Sequence, residues 1–109
     1  MVKFEITKDK AGKLRFNLKA SNGQVILSSE AYNSKAACDN GIESVRKNSQ
    51  NDKMFEKKIA KDGSPYFSLK ASNGQVIGDS QMYASASSMA KGIATVKKNA
   101  PKAAVQDNS

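Results

Sequence analysis

Displaced by 51 positions, the sequence falls on itself: Phe16 to Asn48 aligns with Phe67 to Asn99 without a gap, and 18 of the 33 pairs are identical. The octapeptide Lys19-Ala-Ser-Asn-Gly-Gln-Val-Ile26 returns unchanged as Lys70 to Ile77. The same offset pairs Phe4 with Phe55, Glu5 with Glu56, Lys10 with Lys61 and Gly12 with Gly63. A chain of 109 residues is long enough for one modest core and too short for two. The copies, residues 3–50 and 54–101, are therefore expected to share one core as a single domain, with 102–109 a short terminal strand or a frayed tail.

Within each copy the apolar period changes once. Leu14, Phe16, Leu18 and Ala20 alternate with Arg15, Asn17 and Lys19, as Phe67, Leu69 and Ala71 alternate with Tyr66, Ser68 and Lys70. Period two is a strand with one core face and one polar face. Asn22-Gly23 and Asn73-Gly74 follow, a dipeptide suited to a type I′ hairpin turn. The returning arms start at Gln24 and Gln75, and the segments at residues 4–8 and 54–59 add a strand before each hairpin. Beyond Tyr32 and Tyr83, the stripe Ala37, Cys38, Gly41, Ile42 and Val45, repeated as Ser88, Met89, Gly92, Ile93 and Val96, predicts a helix. Ser34 and Ser85 suit its N-cap, the basic residues at 46, 47, 97 and 98 its C-terminal end, and Asn48 and Asn99 a left-handed exit. A glycine inside a helix costs about 1 kcal/mol relative to alanine, so its recurrence on the apolar stripe predicts close approach of helix to sheet. The expected fold class is α+β: a duplicated β-β-β-α unit giving one antiparallel sheet with two helices on it, related by an internal pseudo-twofold.

The repeated Lys-Ala-Ser-Asn-Gly-Gln-Val-Ile blocks, each followed by a Tyr, a Ser cap and a Gly-Ile-x-x-Val-x-Lys-Asn helix end, resemble the YegP-like family of uncharacterised bacterial proteins over nearly the whole chain. The resemblance implies a β-β-β-α-β unit, two units forming one sheet with exchanged terminal strands. It brings no biochemical activity and no ligand residues.

The residues exclude much chemistry. Histidine is absent and Cys38 is the lone cysteine, so neither a Cys/His zinc cluster nor a Ser-His-Asp or Cys-His nucleophile can be assembled. No Gly-rich phosphate loop or calcium loop occurs. Ser88-Met-Ala-Lys91 and Ser44-Val-Arg-Lys47 match a Ser-x-x-Lys pattern but lack its companion elements; Ser88 reads as a small helix-packing residue. Cys38 reads as a core thiol, and Tyr32 and Tyr83 as packing residues with hydroxyls near the rim. No enzyme, cofactor or metal is expected. One cysteine, no signal-like N-terminus and no long apolar run point to the cytoplasm and away from a membrane.

A net charge of +8 raises an anionic partner as a possibility, and Arg15, Lys19, Tyr66 and Lys70 on the polar sheet face are the candidate nucleic-acid contacts. The surplus is spread, +3 over residues 1–52 and +5 over 53–109, and exposed aromatics are too few for a base-stacking sheet. A protein or peptide interaction module is the leading expectation and weak nucleic-acid binding the alternative, in a chain expected to be a monomer because duplication already supplies its twofold partner.

Overall fold

In the computed structural model, which describes residues 2–109, each copy begins with three strands: β1 (Lys3–Lys8), β2 (Leu14–Lys19) and β3 (Val25–Ser29), then β4 (Phe55–Ile59), β5 (Pro65–Lys70) and β6 (Val76–Ser80). Helices α1 (Lys35–Asn48) and α2 (Ala86–Asn99) follow the third strand of each copy, and β7 (Ala104–Asp107) closes the chain. The sheet order is β4-β5-β6-β3-β2-β1-β7. The copies meet at β3 and β6, where Ser28 lies opposite Asp79, its own counterpart 51 residues on. The pseudo-twofold therefore passes through that pair.

Alternation sends one side chain in two to the helices. Phe4, Ile6, Phe16, Leu18, Leu27, Phe67 and Leu69 are fully buried there, meeting Cys38, Ile42 and Val45 of α1 and Met89 and Val96 of α2. Each copy builds the same aromatic stack. Phe4 meets Phe16 edge-on and Phe16 stacks on Tyr32, with centroids 6.1 Å apart; Phe55, Phe67 and Tyr83 repeat it at 6.2 Å. The tyrosine ring ends beneath the helix glycine. A β-carbon on Gly41 would stand 2.7 Å from Tyr32 Cζ, and one on Gly92 2.6 Å from Tyr83 Cζ, so the expected close approach has a specific cause.

The serine caps form as expected: Ser34 accepts from the Ala37 amide and Ser85 from the Ser88 amide. Three other expectations need correction. The Asn-Gly hairpins are not type I′, since among the described residues positive φ occurs only at glycine. Gly23 donates to the Ala20 carbonyl and Ala20 to that of Gln24, which makes a three-residue loop: a type I turn, then a glycine bulge at φ +85°. Asn22 Oδ1 instead accepts the Gln24 amide. Asn48 and Asn99 take no left-handed exit either; their amides donate back to the Ser44 and Thr95 carbonyls. The sheet is mixed rather than wholly antiparallel, because β7 runs parallel to β1.

Candidate functional site

The four candidate contacts lie on strands β2 and β5, at positions that alternate away from the helices. The sheet brings them to one face but does not leave their charges free. Lys19 Nζ lies 2.7 Å from Glu5, and at the equivalent place Lys70 Nζ lies 3.0 Å from Glu56, which Lys58 also meets at 3.3 Å. Hydrogen bonding to these lysines holds both carboxyls below the usual range. Arg15 bonds Asp9 at 3.5 Å. Tyr66 occupies Arg15's place in the second copy, the one aromatic among the four. Cross-strand pairs of this kind stabilise the sheet modestly and cancel the field an anion would feel.

The other sequence candidates are structural. Cys38 is fully buried, and burial pushes its thiol up, away from the reactive thiolate. The half-buried Ser88 donates its amide to Ser85 Oγ and accepts from the Ser85 hydroxyl. Tyr32 and Tyr83 are half-buried, and burial raises both phenols. Among the described residues no group of three potential metal ligands comes together. No helix is long and apolar enough to cross a membrane. A groove of about 670 Å³ runs between α1 and the β5–β6 hairpin, past Tyr32, Asn40, Ser44, Asn73 and Gln75, without an ionisable cluster.

A different feature emerges at the sheet ends, which the twofold makes equivalent in sequence but which the chain treats differently. At the β1 end, β7 pairs Ala104 with Lys3, Val105 with Phe4, Gln106 with Glu5 and Asp107 with Ile6. Arg46 of α1 fixes the approach: its guanidinium donates to the Ala103 carbonyl at 2.7 Å and lies 5.5 Å from the centre of the Phe4 ring. At the β4 end no strand follows. Asp52, Phe55, Lys57, Ala90 and Ile93 line a cleft of about 290 Å³ there, with Asp52 paired to Lys97 of α2. Ile93 is half-buried, whereas its counterpart Ile42 is 1% exposed, and Lys57 stands where the first copy has the buried Ile6. Ile59, at the end of β4, is 69% exposed.

The fold and this surface define a class: a duplicated α+β scaffold in which β1 is paired by an added terminal strand and the equivalent β4 is not. Both repeats match the family described as Domain of unknown function (DUF1508), at residues 9–56 and 60–107. The chain belongs to this family, among its YegP-like members. It is 54% identical to the UPF0339 protein of Acinetobacter baylyi, over 95% of this chain and 94% of that one, and 51% identical to the UPF0339 protein YegP of Escherichia coli K12, over 97% and 96%. The solution NMR structure of yegP from E. coli, described as a protein of unknown function, superposes with a TM-score of 0.92 at 50% identity, covering 98% of this chain and 92% of that one. The YegP-like resemblance and the α+β duplication are thereby established. Terminal strands are exchanged: the first matched repeat ends in β4, which pairs with β5 of the second, and the second ends in β7, which pairs with β1 at the other end of the sheet.

Proposed function

We propose that this chain is a non-catalytic interaction module that binds an extended segment of another protein along β4. The observation that carries the reading is the difference between equivalent edges, β1 covered by β7 and β4 uncovered. An unpaired edge presents a row of backbone donors and acceptors, the template for strand addition. Which groups face outward follows from the ladder. Ile59 lies opposite Pro65, whose carbonyl is turned away to accept from Tyr83 N, so the Ile59 backbone groups turn away on the other side. Alternation gives Lys57 and the Phe55 carbonyl the same direction, while the Phe55 amide is taken by the Asp52 carbonyl.

The experiment is capture from a cell lysate with and without nuclease, then NMR titration with the recovered partner. Shifts confined to Phe55–Ile59 and α2 support the module. A partner that disappears with nuclease, or shifts centred on Arg15, Lys19, Tyr66 and Lys70, supports the second reading, weak nucleic-acid binding. The placement of those four residues on the face away from the helices favours that alternative, and the ion pairs of Arg15, Lys19 and Lys70 oppose it. It requires affinity to fall steeply between ~50 and ~200 mM salt. The reading includes a monomer, since β4 carries Lys57 and Lys58 against edge pairing, and a cytoplasmic location, supported by the buried free thiol of Cys38. Sedimentation at micromolar concentration tests the former.

A further inference from the structure

We infer that the segment received by β4 is a parallel strand carrying a small or apolar residue and, two positions later, an acidic one set against Lys57. This deepens the proposed function and rests on it. The chain contains its own template, since β7 occupies the equivalent edge in a known register. Carried across the twofold, that register sets the four strand positions against Met54, Phe55, Glu56 and Lys57.

Each position then has a stated environment. The residue against Phe55, held by Val105 in the template, faces the cleft where Phe55, Ala90 and Ile93 offer apolar surface, with Asp52 and Lys57 also lining it. The residue against Lys57 corresponds to Asp107, which the first copy sets beside Ile6 and pairs with Lys35 at 3.0 Å. In the second copy Ala86 replaces Lys35, so α2 offers no cation at that position, and Lys57 supplies one from the strand instead. The backbone agrees. Ile6 O accepts from Asn108 N in the template, and Lys57 O is its unpaired counterpart.

Lys57 also decides against another occupant. Two β4 strands from separate copies, paired antiparallel about Lys57, would place like charges side by side on the helix-facing surface, which opposes pairing. An acidic strand turns the same lysine into a selective contact, attraction for one partner and repulsion for the other.

The test uses the intact protein labelled with 15N and, as probe, a free peptide of residues 102–109, with an Asp107→Lys version. The expected result is saturable shifts at Phe55, Lys57, Ala90 and Ile93, at least fivefold weaker binding of the Asp107→Lys peptide, and the reverse preference in a Lys57→Glu protein. A spin label on the peptide N-terminus should broaden Lys53 and Met54 rather than Ile59 and Ala60. The Lys57→Glu spectrum away from β4 verifies folding, and the charge swap restores binding within the same variant. Equal binding of both peptides at β4, or broadening at Ile59, overturns the acidic parallel strand and leaves the peptide module standing. Shifts confined to β1 with release of β7, or none at millimolar peptide, overturn the inference at this edge; a partner protein mapped to β4 from lysate then decides whether the module survives. A dimer joined through β4 also overturns it.

Discussion

The Tyr83 hydroxyl lies in the space that a β-carbon on Gly92 would fill, as Tyr32 does beneath Gly41. Gly92→Ala must displace a ring already stacked on Phe67, and overpacking of this kind costs about 1–3 kcal/mol. Alanine's helix preference offsets about 1 kcal/mol. The expected net effect is a loss of up to about 2 kcal/mol by urea unfolding. In a Tyr83→Ala background the same change should stabilise, because only the helix preference remains. Loss of similar size in both backgrounds would reject the steric account.

Ser29 Oγ accepts the Phe16 amide at 2.9 Å and donates to the Glu30 carbonyl, and Ser80 does the same for Phe67 and Gln81. Both serines are buried. Ser29→Ala and Ser80→Ala should each cost about 1–3 kcal/mol, since a buried amide loses its partner. Ser28→Ala, on the exposed side of the same strand, should stay within about 0.5 kcal/mol. Equal effects at 28 and 29 would sink the distinction.

Cys38 should report on unfolding. Its sulfur is reached only by opening the sheet from α1, so an aromatic disulfide reagent should label it at least ~100-fold more slowly in the folded chain than in denaturant. Labelling at the rate of a free thiol would mean that α1 detaches readily.

Asp107 is depressed to about 2, first by hydrogen bonds from the Ser109 hydroxyl and amide and then by the Lys35 ammonium. A depressed carboxyl favours the folded state above its ordinary value of 3.8, and that contribution fades as pH falls toward about 2. Glu5 is lowered as well, chiefly by its hydrogen bond to Lys19, and has the same sign. Amide exchange in β7 should therefore accelerate between about pH 4 and pH 2 before β2 and β3 respond. Asp107→Asn should remove most of that step; an unchanged profile would place the acid sensitivity elsewhere.

The strands, helix stripes and serine caps were legible because each is written in local spacing, and the duplication wrote each twice. The turn type was misread at Asn22-Gly23 because the dipeptide was weighed without its loop. Gly12 and Gly63, each donating back to a residue three before it, end loops of the same length, and that regularity was the available signal. The position of Arg15, Lys19, Tyr66 and Lys70 on the polar face was legible from alternation, but their neutralising partners were not, since Glu5 meets Lys19 through strand register rather than sequence proximity. The bare edge at β4 was not legible at all. It depends on where β7 goes, and a parallel pairing of Ala104 with Lys3 leaves no short-range trace.

That pairing also orders events in time. Residues 3–8 are among the first synthesised, yet their outer edge is covered by residues made about a hundred positions later. Until then the β1 edge is bare, and a strand suited to β4 meets there a similar ledge beside Phe4 and Ile6, with Ile6 in the place of Lys57. Closing so long a loop is the slow, entropically costly step of such a topology. The completed chain thus differs from its precursor in what that end of the sheet displays: addition of β7 covers the Phe4 and Ile6 ledge and makes the exposed β7 the edge strand there, while the β4 edge keeps Lys57.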